Sequence, residues 1–250
     1  MAQAAHAPFL LDKVARFVGV PRARLREWQK QLLGHDRLPL QLLENWTRLH
    51  PDAQRETPTV GGSVGIHNEV LYLITRASQP QLVVETGVAY GFTTSYILQA
   101  LHDNRCGSLF SIDAPNTSAR GYVNEEGEID RVFVGGVDET GAIIPPILRD
   151  RWTLRFGRSR VVLPDLLKEI GPIDIFLHDS DHSMDNMTWE FRTAWSHLTA
   201  GGYLLSDDVS HNTAFTNFVK RVGQPSIRWV GPQGRYGGVR TPSAPNFPPP

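Results

Sequence analysis

Two short stretches of this chain end in residue types that bind cations and move protons. Residues 173–183 read Ile-Asp-Ile-Phe-Leu-His-Asp-Ser-Asp-His-Ser, and residues 203–208 read Tyr-Leu-Leu-Ser-Asp-Asp. Ile173, Ile175, Phe176 and Leu177 lead into His178, Asp179, Asp181 and His182, while Leu204 and Leu205 lead into Ser206, Asp207 and Asp208. Apolar runs of this length suit strands buried on both faces. The carboxylates are at home just beyond the carboxyl ends of parallel strands, where open α/β sheets bind ligands. Two such ends imply one shared site. Asp179, Asp207 and Asp208 make an all-oxygen set suited to a hard cation, Mg²⁺ first, with Ca²⁺ or Mn²⁺ as competitors. Without a cation, acids so close would raise one another's pKa. His182 stands three residues after Asp179, where a strand end turning into a helix brings both towards one pocket. A neutral imidazole there is a suitable general base near pH 7. The plainer alternative for the acids is helix capping and solvated loop charge.

The bulk of the sequence narrows the class of protein. At 250 residues the chain is long enough for one large domain with a substantial core. Lys+Arg 25 against Asp+Glu 26 gives a net charge of −1, so nothing points to nucleic acid or an anionic membrane as the main partner. Cys106 is the single cysteine, which rules out an internal disulfide and a thiolate metal cluster. No apolar run approaches the roughly 20 residues of a membrane span, and residues 1–8 lack the apolar core of a signal peptide. The expectation is a soluble, cytoplasmic protein.

The elements that must position these groups read as alternating helices and strands. Apolar residues recur at helical spacing over 9–46, with Pro21 and Pro39 where helix starts tolerate proline. This predicts three short helices in an N-terminal cap over 1–65 that covers a sheet edge, or else forms a lid or a contact between two copies of the chain. Residues 57–65 are a loop by composition. A predicted helix at 66–77 leads into a strand at 82–85, then Glu85-Thr86-Gly87-Val-Ala-Tyr-Gly91-Phe-Thr-Thr-Ser95 and a helix at 93–101. Glycines between strand and helix allow a tight turn and close backbone approach to a ligand. The spacing Glu-x-Gly-x-x-x-Gly is not the Gly-x-Gly-x-x-Gly of dinucleotide binders. Glu85 suits a cationic or hydroxyl-rich ligand, and Asp113 ends a second strand where doubly wound nucleotide sites place an acid on a ribose hydroxyl.

Residues 114–151 are long for a connection and are read as a substrate-side insertion, with an inert excursion as the alternative. A strand at 153–156 precedes Gly157-Arg158-Ser159, where Ser159 is expected to cap a helix to about 170. After the 173–183 stretch comes a helix with Met184, Met187, Phe191 and Leu198 on one face. A helix at 214–222 and a hairpin from 226–230 and 236–240 follow. The tail 241–250 is Pro-rich and expected to be disordered. The order predicts a doubly wound α/β fold with a mostly parallel sheet over 66–240.

Taken in order, the glycine turn after Glu85, Asp113, the Gly157-Arg158-Ser159 turn and Asp179-Ser-Asp-His182 resemble the class I S-adenosylmethionine (SAM)-dependent methyltransferases, across about 66–222. Among them the chain resembles the small O-methyltransferases that include the macrocin-type sugar enzymes and the cephalosporin-hydroxylase-like group. The resemblance implies a Rossmann-like sheet ending in an antiparallel pair. It implies a methionine pocket shaped by Glu85, Gly87 and Gly91 with Thr86 and Ser95 beside them, and Asp113 on the ribose. Gly157 and Ser159 would lie near the adenine. His178 would lean on the cofactor, unless it is simply a satisfied strand-end histidine.

In the catechol-type relatives a lysine stands three positions after the aspartate; in the macrocin type a histidine does, so Asp179 and His182 follow the sugar type as catalytic residues. Asp207-Asp208 departs slightly from the Glu-Asp or Asp-Asn of these groups. The implied reaction is Mg²⁺-assisted methylation of a hydroxyl on a small polyhydroxylated or glycosylated natural product. Two other classes stand beside it. One is an NAD(P)-dependent oxidoreductase, which the glycine spacing disfavours. The other is a non-catalytic SAM-binding partner protein, in which a carboxylate cluster would have no need to persist.

Overall fold

The computed structural model describes residues 7–34, 38–51, 66–114, 122–123, 129–130, 136–231 and 234–243. The expected loop at 57–65, much of 115–135 and residues 244–250 lie outside them. The N-terminal helices are α1 (Ala7–Val18), α2 (Arg22–Gly34) and α3 (Leu38–Leu49). The main body alternates α4 (Ile66–Ser78), β1 (Leu82–Thr86), α5 (Phe92–Asn104), β2 (Ser108–Asp113), β3 (Trp152–Phe156), α6 (Ser159–Ile170), β4 (Ile173–His178), α7 (Met184–Trp195), β5 (Leu198–Ser206) and α8 (Ala214–Val222), and closes with the hairpin β6 (Ser226–Gly231) and β7 (Gly234–Arg240).

These strands form one seven-stranded sheet in the order β3-β2-β1-β4-β5-β7-β6. The pairs from β3 to β5 are parallel, while β7 runs antiparallel to both β5 and β6. The period-2 alternation of strand side chains explains how one sheet sustains two cores. Val83, Ile175, Leu177, Tyr203 and Leu205 face one layer with α4 and α5. Val84, Ile112, Phe176 and Leu204 face the other, against α6, α7 and α8. With both faces covered, β4 must be apolar up to its last residues, and five of its six side chains, all but Asp174, are buried. Asp174, at the opposite end of β4, accepts the Gln81 and Leu82 N–H groups and the Thr199 hydroxyl.

The expected N-terminal helices form, and Leu11, Val14, Phe17, Leu25, Trp28 and Leu42 join the same apolar cluster as α4 and α5. Two expectations are corrected. Arg158, not Ser159, occupies the N-cap of α6, and Ser159 is the first helical residue. The start of the tail is held: Thr241 is buried, its N–H donates to the Gly202 carbonyl and its hydroxyl to the Thr199 carbonyl. No helix among the described residues is long and apolar enough to cross a membrane.

Candidate active site

The strand order reverses direction between β1 and β4, and the crevice beyond those two carboxyl ends is where such sheets bind ligands. Gly87, with φ +86°, makes the turn out of β1; a Cβ there would sit 1.9 Å from the Asp179 carbonyl oxygen. The end of β1 is stitched to both neighbours, to β2 by Gly87 N–H to Ile112 carbonyl and to β4 by Asp179 N–H to Thr86 carbonyl, both 2.8 Å. Gly91, with φ +96°, lets another segment close in: its Cβ would meet the Ile144 side chain at 2.6 Å. Part of the 114–151 stretch therefore lies on the glycine turn. Gly141 N–H donates to the Ala89 carbonyl and Ile143 N–H to the Tyr90 carbonyl. From α3, Asn45 donates to the Ile143 carbonyl, and beyond its end the His50 ring pairs with the Tyr90 hydroxyl at 3.1 Å.

Glu85 is fully buried, and its Oε2 accepts the Thr94 hydroxyl at 2.9 Å and the Ser111 hydroxyl at 2.7 Å. Its Oε1 has no partner among the described residues. Burial pushes its pKa up to about 8 against the two hydroxyl donors, with the charge of Asp113 adding to the rise. Folding therefore takes up a proton at Glu85 between the ordinary carboxyl value of 4.5 and about 8. Stability falls as pH rises through that window, by up to about 4 kcal/mol. Glu85→Gln is expected to remove the decline, so that its melting temperature gains on the wild type from pH 5 to pH 8.5. Parallel melting curves across that range would discard the assignment.

Asp113 does two things with one oxygen: its Oδ2 accepts the N–H groups of Val88 and Ala89 and so holds the glycine turn in shape. The hydroxyls expected near the cofactor are occupied elsewhere. Thr86 donates to Glu190 at 2.6 Å, Ser95 bonds back to the Gly91 carbonyl at 2.6 Å, and Ser159 donates to Glu190. Gly157, at φ +141°, turns against Val162, and its N–H donates to the Asp113 carbonyl.

Glu190 is the residue that sequence reasoning missed. It lies on α7, fully buried, and accepts His178 Nδ1 at 2.7 Å, Ser180 Oγ at 2.8 Å and Asn186 Nδ2 at 3.1 Å besides Thr86. Burial opposes its charge, but His178 and the hydroxyl donors outweigh it and bring its pKa down to about 2. The signal was present: Glu190 is three residues after Met187 and four before Ala194, on the apolar face of the helix. His178 is thus satisfied at Nδ1, while its buried Nε2 has no partner among the described residues and its ring stands edge-on to His182 at 5.2 Å.

Beyond β4 and β5 the structure gathers Asp179, His182 and Asp207, each offering a ligand atom within 4.8 Å of the others. Asp208, expected as a third oxygen ligand, is not in that group; its N–H donates to Asp207 Oδ1 at 2.6 Å. His182 Nε2 lies 3.9 Å from Asp179 Oδ1, without a hydrogen-bond partner among the described residues. Burial and the neighbouring His178 hold its pKa down to about 4, so the ring is neutral. Burial and the adjacent Asp207 push the Asp179 carboxyl well up, and burial and Asp207 lift Asp208 to about 6. Such mutual repulsion is what a bound cation relieves. Asp181 accepts the Ser183 N–H just ahead of α7, whose N-cap is Ser183 itself through the Asn186 N–H, and His211 lies on the exposed side, its ring 6.4 Å from His182. Tyr236 of β7 also reaches the cluster, donating its hydroxyl to Asp207; burial and the surrounding carboxylates push that phenol's pKa well up.

A seven-stranded, mostly parallel sheet with a closing antiparallel pair, carrying a glycine turn and an acidic strand-end site at its switch point, defines the class I methyltransferase fold. The chain matches the family model described as a methyltransferase domain over residues 84–209, and it belongs to that family. No curated protein matches it.

Solved structures share the fold at low identity. The O-methyltransferase from Bacillus cereus in complex with S-adenosylhomocysteine (SAH) is 15% identical with a TM-score of 0.57, covering 86% of this chain and 96% of that one. The SAH-bound Podospora anserina methyltransferase PaMTH1 is 14% identical with a TM-score of 0.59, covering 88% and 94%. The O-methyltransferase TomG of Streptomyces achromogenes, involved in tomaymycin synthesis and in complex with SAM, is 17% identical with a TM-score of 0.56, covering 86% and 94%.

Proposed function

We propose that this methyltransferase uses SAM to methylate a hydroxyl group, assisted by a divalent cation, on a small polyhydroxylated or glycosylated acceptor. The observation that carries the reading is the convergence of Asp179, His182 and Asp207 at the ends of β4 and β5, across the switch point from the glycine turn. The neighbours bound to SAM or SAH support the cofactor. The unpartnered Glu85 Oε1 and His178 Nε2 beside the turn are polar atoms that a ligand would satisfy.

Asp179 and Asp207 fit a hard cation, Mg²⁺ or Mn²⁺, and hold it in this reading. When bound, the cation supplies Lewis acidity to the acceptor hydroxyl, and SAM supplies the methyl group. His182 Nε2 takes the hydroxyl proton as the oxygen–carbon bond forms and the carbon–sulfur bond breaks; the neutral ring has its lone pair available for this. The glycine turn, fixed by Asp113 and pressed by residues 141–144, aligns the donor side and excludes water.

Calorimetric titration with SAH, with Mg²⁺ and again after chelation, tests the reading. Roughly micromolar binding of SAH, with a separate heat for Mg²⁺ that Asp207→Asn abolishes, is the expected result. Absence of SAH binding in both conditions would return the site to the oxidoreductase alternative, and SAH binding without any Mg²⁺ or Mn²⁺ heat would remove the cation from the mechanism.

A further inference from the structure

Tyr236 comes from the closing hairpin, far in sequence from the residues that the strand-end motifs single out. In the β5–β7 register Ser206 pairs with Gly237, so one further step along the antiparallel strands puts Asp207 opposite Tyr236. The phenol is buried, and two other rings stack with it. His67 at the start of α4 stacks on it at 4.7 Å and 13°, and Trp229, its cross-strand partner in β6, stacks at 5.8 Å and 16°. The backbone around it is shaped for the same approach. Gly237 leaves the strand flush with Phe215, which a Cβ would meet at 2.6 Å, and Gly238 leaves it flush with Leu205, at 2.8 Å. A buried ring stacked in this way has little rotamer freedom, and its hydroxyl donates to Asp207.

Asp207 thus meets two fixed donors, the Tyr236 hydroxyl and the Asp208 N–H at 2.6 Å. A carboxylate at the mouth of a loop has two soft torsions, and two fixed donors hold it in one orientation beside Asp179 and His182. Partners that orient a ligating side chain in this manner tune metal affinity about 10- to 100-fold.

We infer that Tyr236 is the positioning residue for Asp207, setting the cation affinity of the site from the outermost hairpin of the fold. The inference rests on the cation reading above. It differs from a packing role for Tyr236, because the ring and the hydroxyl can be separated experimentally. Tyr236→Phe keeps the stacked ring and removes only the donor, and His67→Ala keeps the donor and frees one face of the ring.

The probe is Mn²⁺, followed by the electron paramagnetic resonance signal of the free ion, on the full chain. Tyr236→Phe is expected to weaken Mn²⁺ binding about 10-fold or more, with the SAH dissociation constant and the melting temperature close to wild type. His67→Ala is expected to give a smaller loss of the same kind. Wild-type affinity for Mn²⁺ in Tyr236→Phe overturns the inference and leaves the cation reading standing. Equal losses of Mn²⁺ and SAH binding in that variant assign Tyr236 to general packing and overturn it too. No Mn²⁺ binding by the wild type overturns the cation reading and this inference with it.

Discussion

Glu190→Ala is expected to cost about 3–5 kcal/mol of folding stability, because it removes the shared acceptor of several buried donors. The side chain is fully buried and anchors groups from five places: Thr86 at the end of β1, His178 at the end of β4, Ser180 after it, Ser159 at the start of α6, and Asn186 on α7 itself. Its loss leaves the buried Thr86 and His178 donors unpaired, while Asn186 keeps the Asp181 carbonyl, and each unpaired donor carries its own desolvation cost. For a domain of this length the melting temperature should fall by on the order of 10 °C. The effect is largest at neutral pH. The carboxyl is held down to about 2, so its contribution is in place above its ordinary value of 4.5 and fades as pH falls through 2. An unfolding free energy from chemical denaturation within about 1 kcal/mol of wild type would show that the network is dispensable.

His182→Ala is expected to lower kcat about 10²- to 10⁴-fold, the usual worth of a positioned general base. Because His182 Nε2 lies in the same group of ligand atoms as Asp179 and Asp207, the variant separates two roles that the geometry alone allows. As a base, its removal leaves Mn²⁺ affinity within a few-fold of wild type while turnover collapses. Asp179→Asn, by contrast, should lose Mn²⁺ binding and turnover together. If His182→Ala loses Mn²⁺ binding first, the imidazole is a ligand and the proton must leave by another route.

The fold was legible because its signals are local. Apolar runs closed by acids mark β4 and β5, and a glycine turn marks the exit of β1; the doubly wound sheet follows from their order. The acids that meet at the strand ends were legible for the same reason. What stayed hidden depends on side-chain direction across elements. Thr86, Ser95 and Ser159 have the right chemistry at the right turns, yet their hydroxyls point into the fold, to Glu190 and the Gly91 carbonyl. Glu190 and Tyr236 lie on a helix and a hairpin read for packing alone. Only the register and the helix rotation bring them to His178 and Asp207.

The N-terminal helices bear on how such proteins can diversify. Asn45 and His50 reach the segment and the turn that shape the ligand crevice, and the helices share a core cluster with α4 and α5. They are therefore not an exchangeable module. A chimera that swapped them alone would sever the bonds to Ile143 and Tyr90, so the unit of recombination is the helices together with residues 88–91 and 139–144.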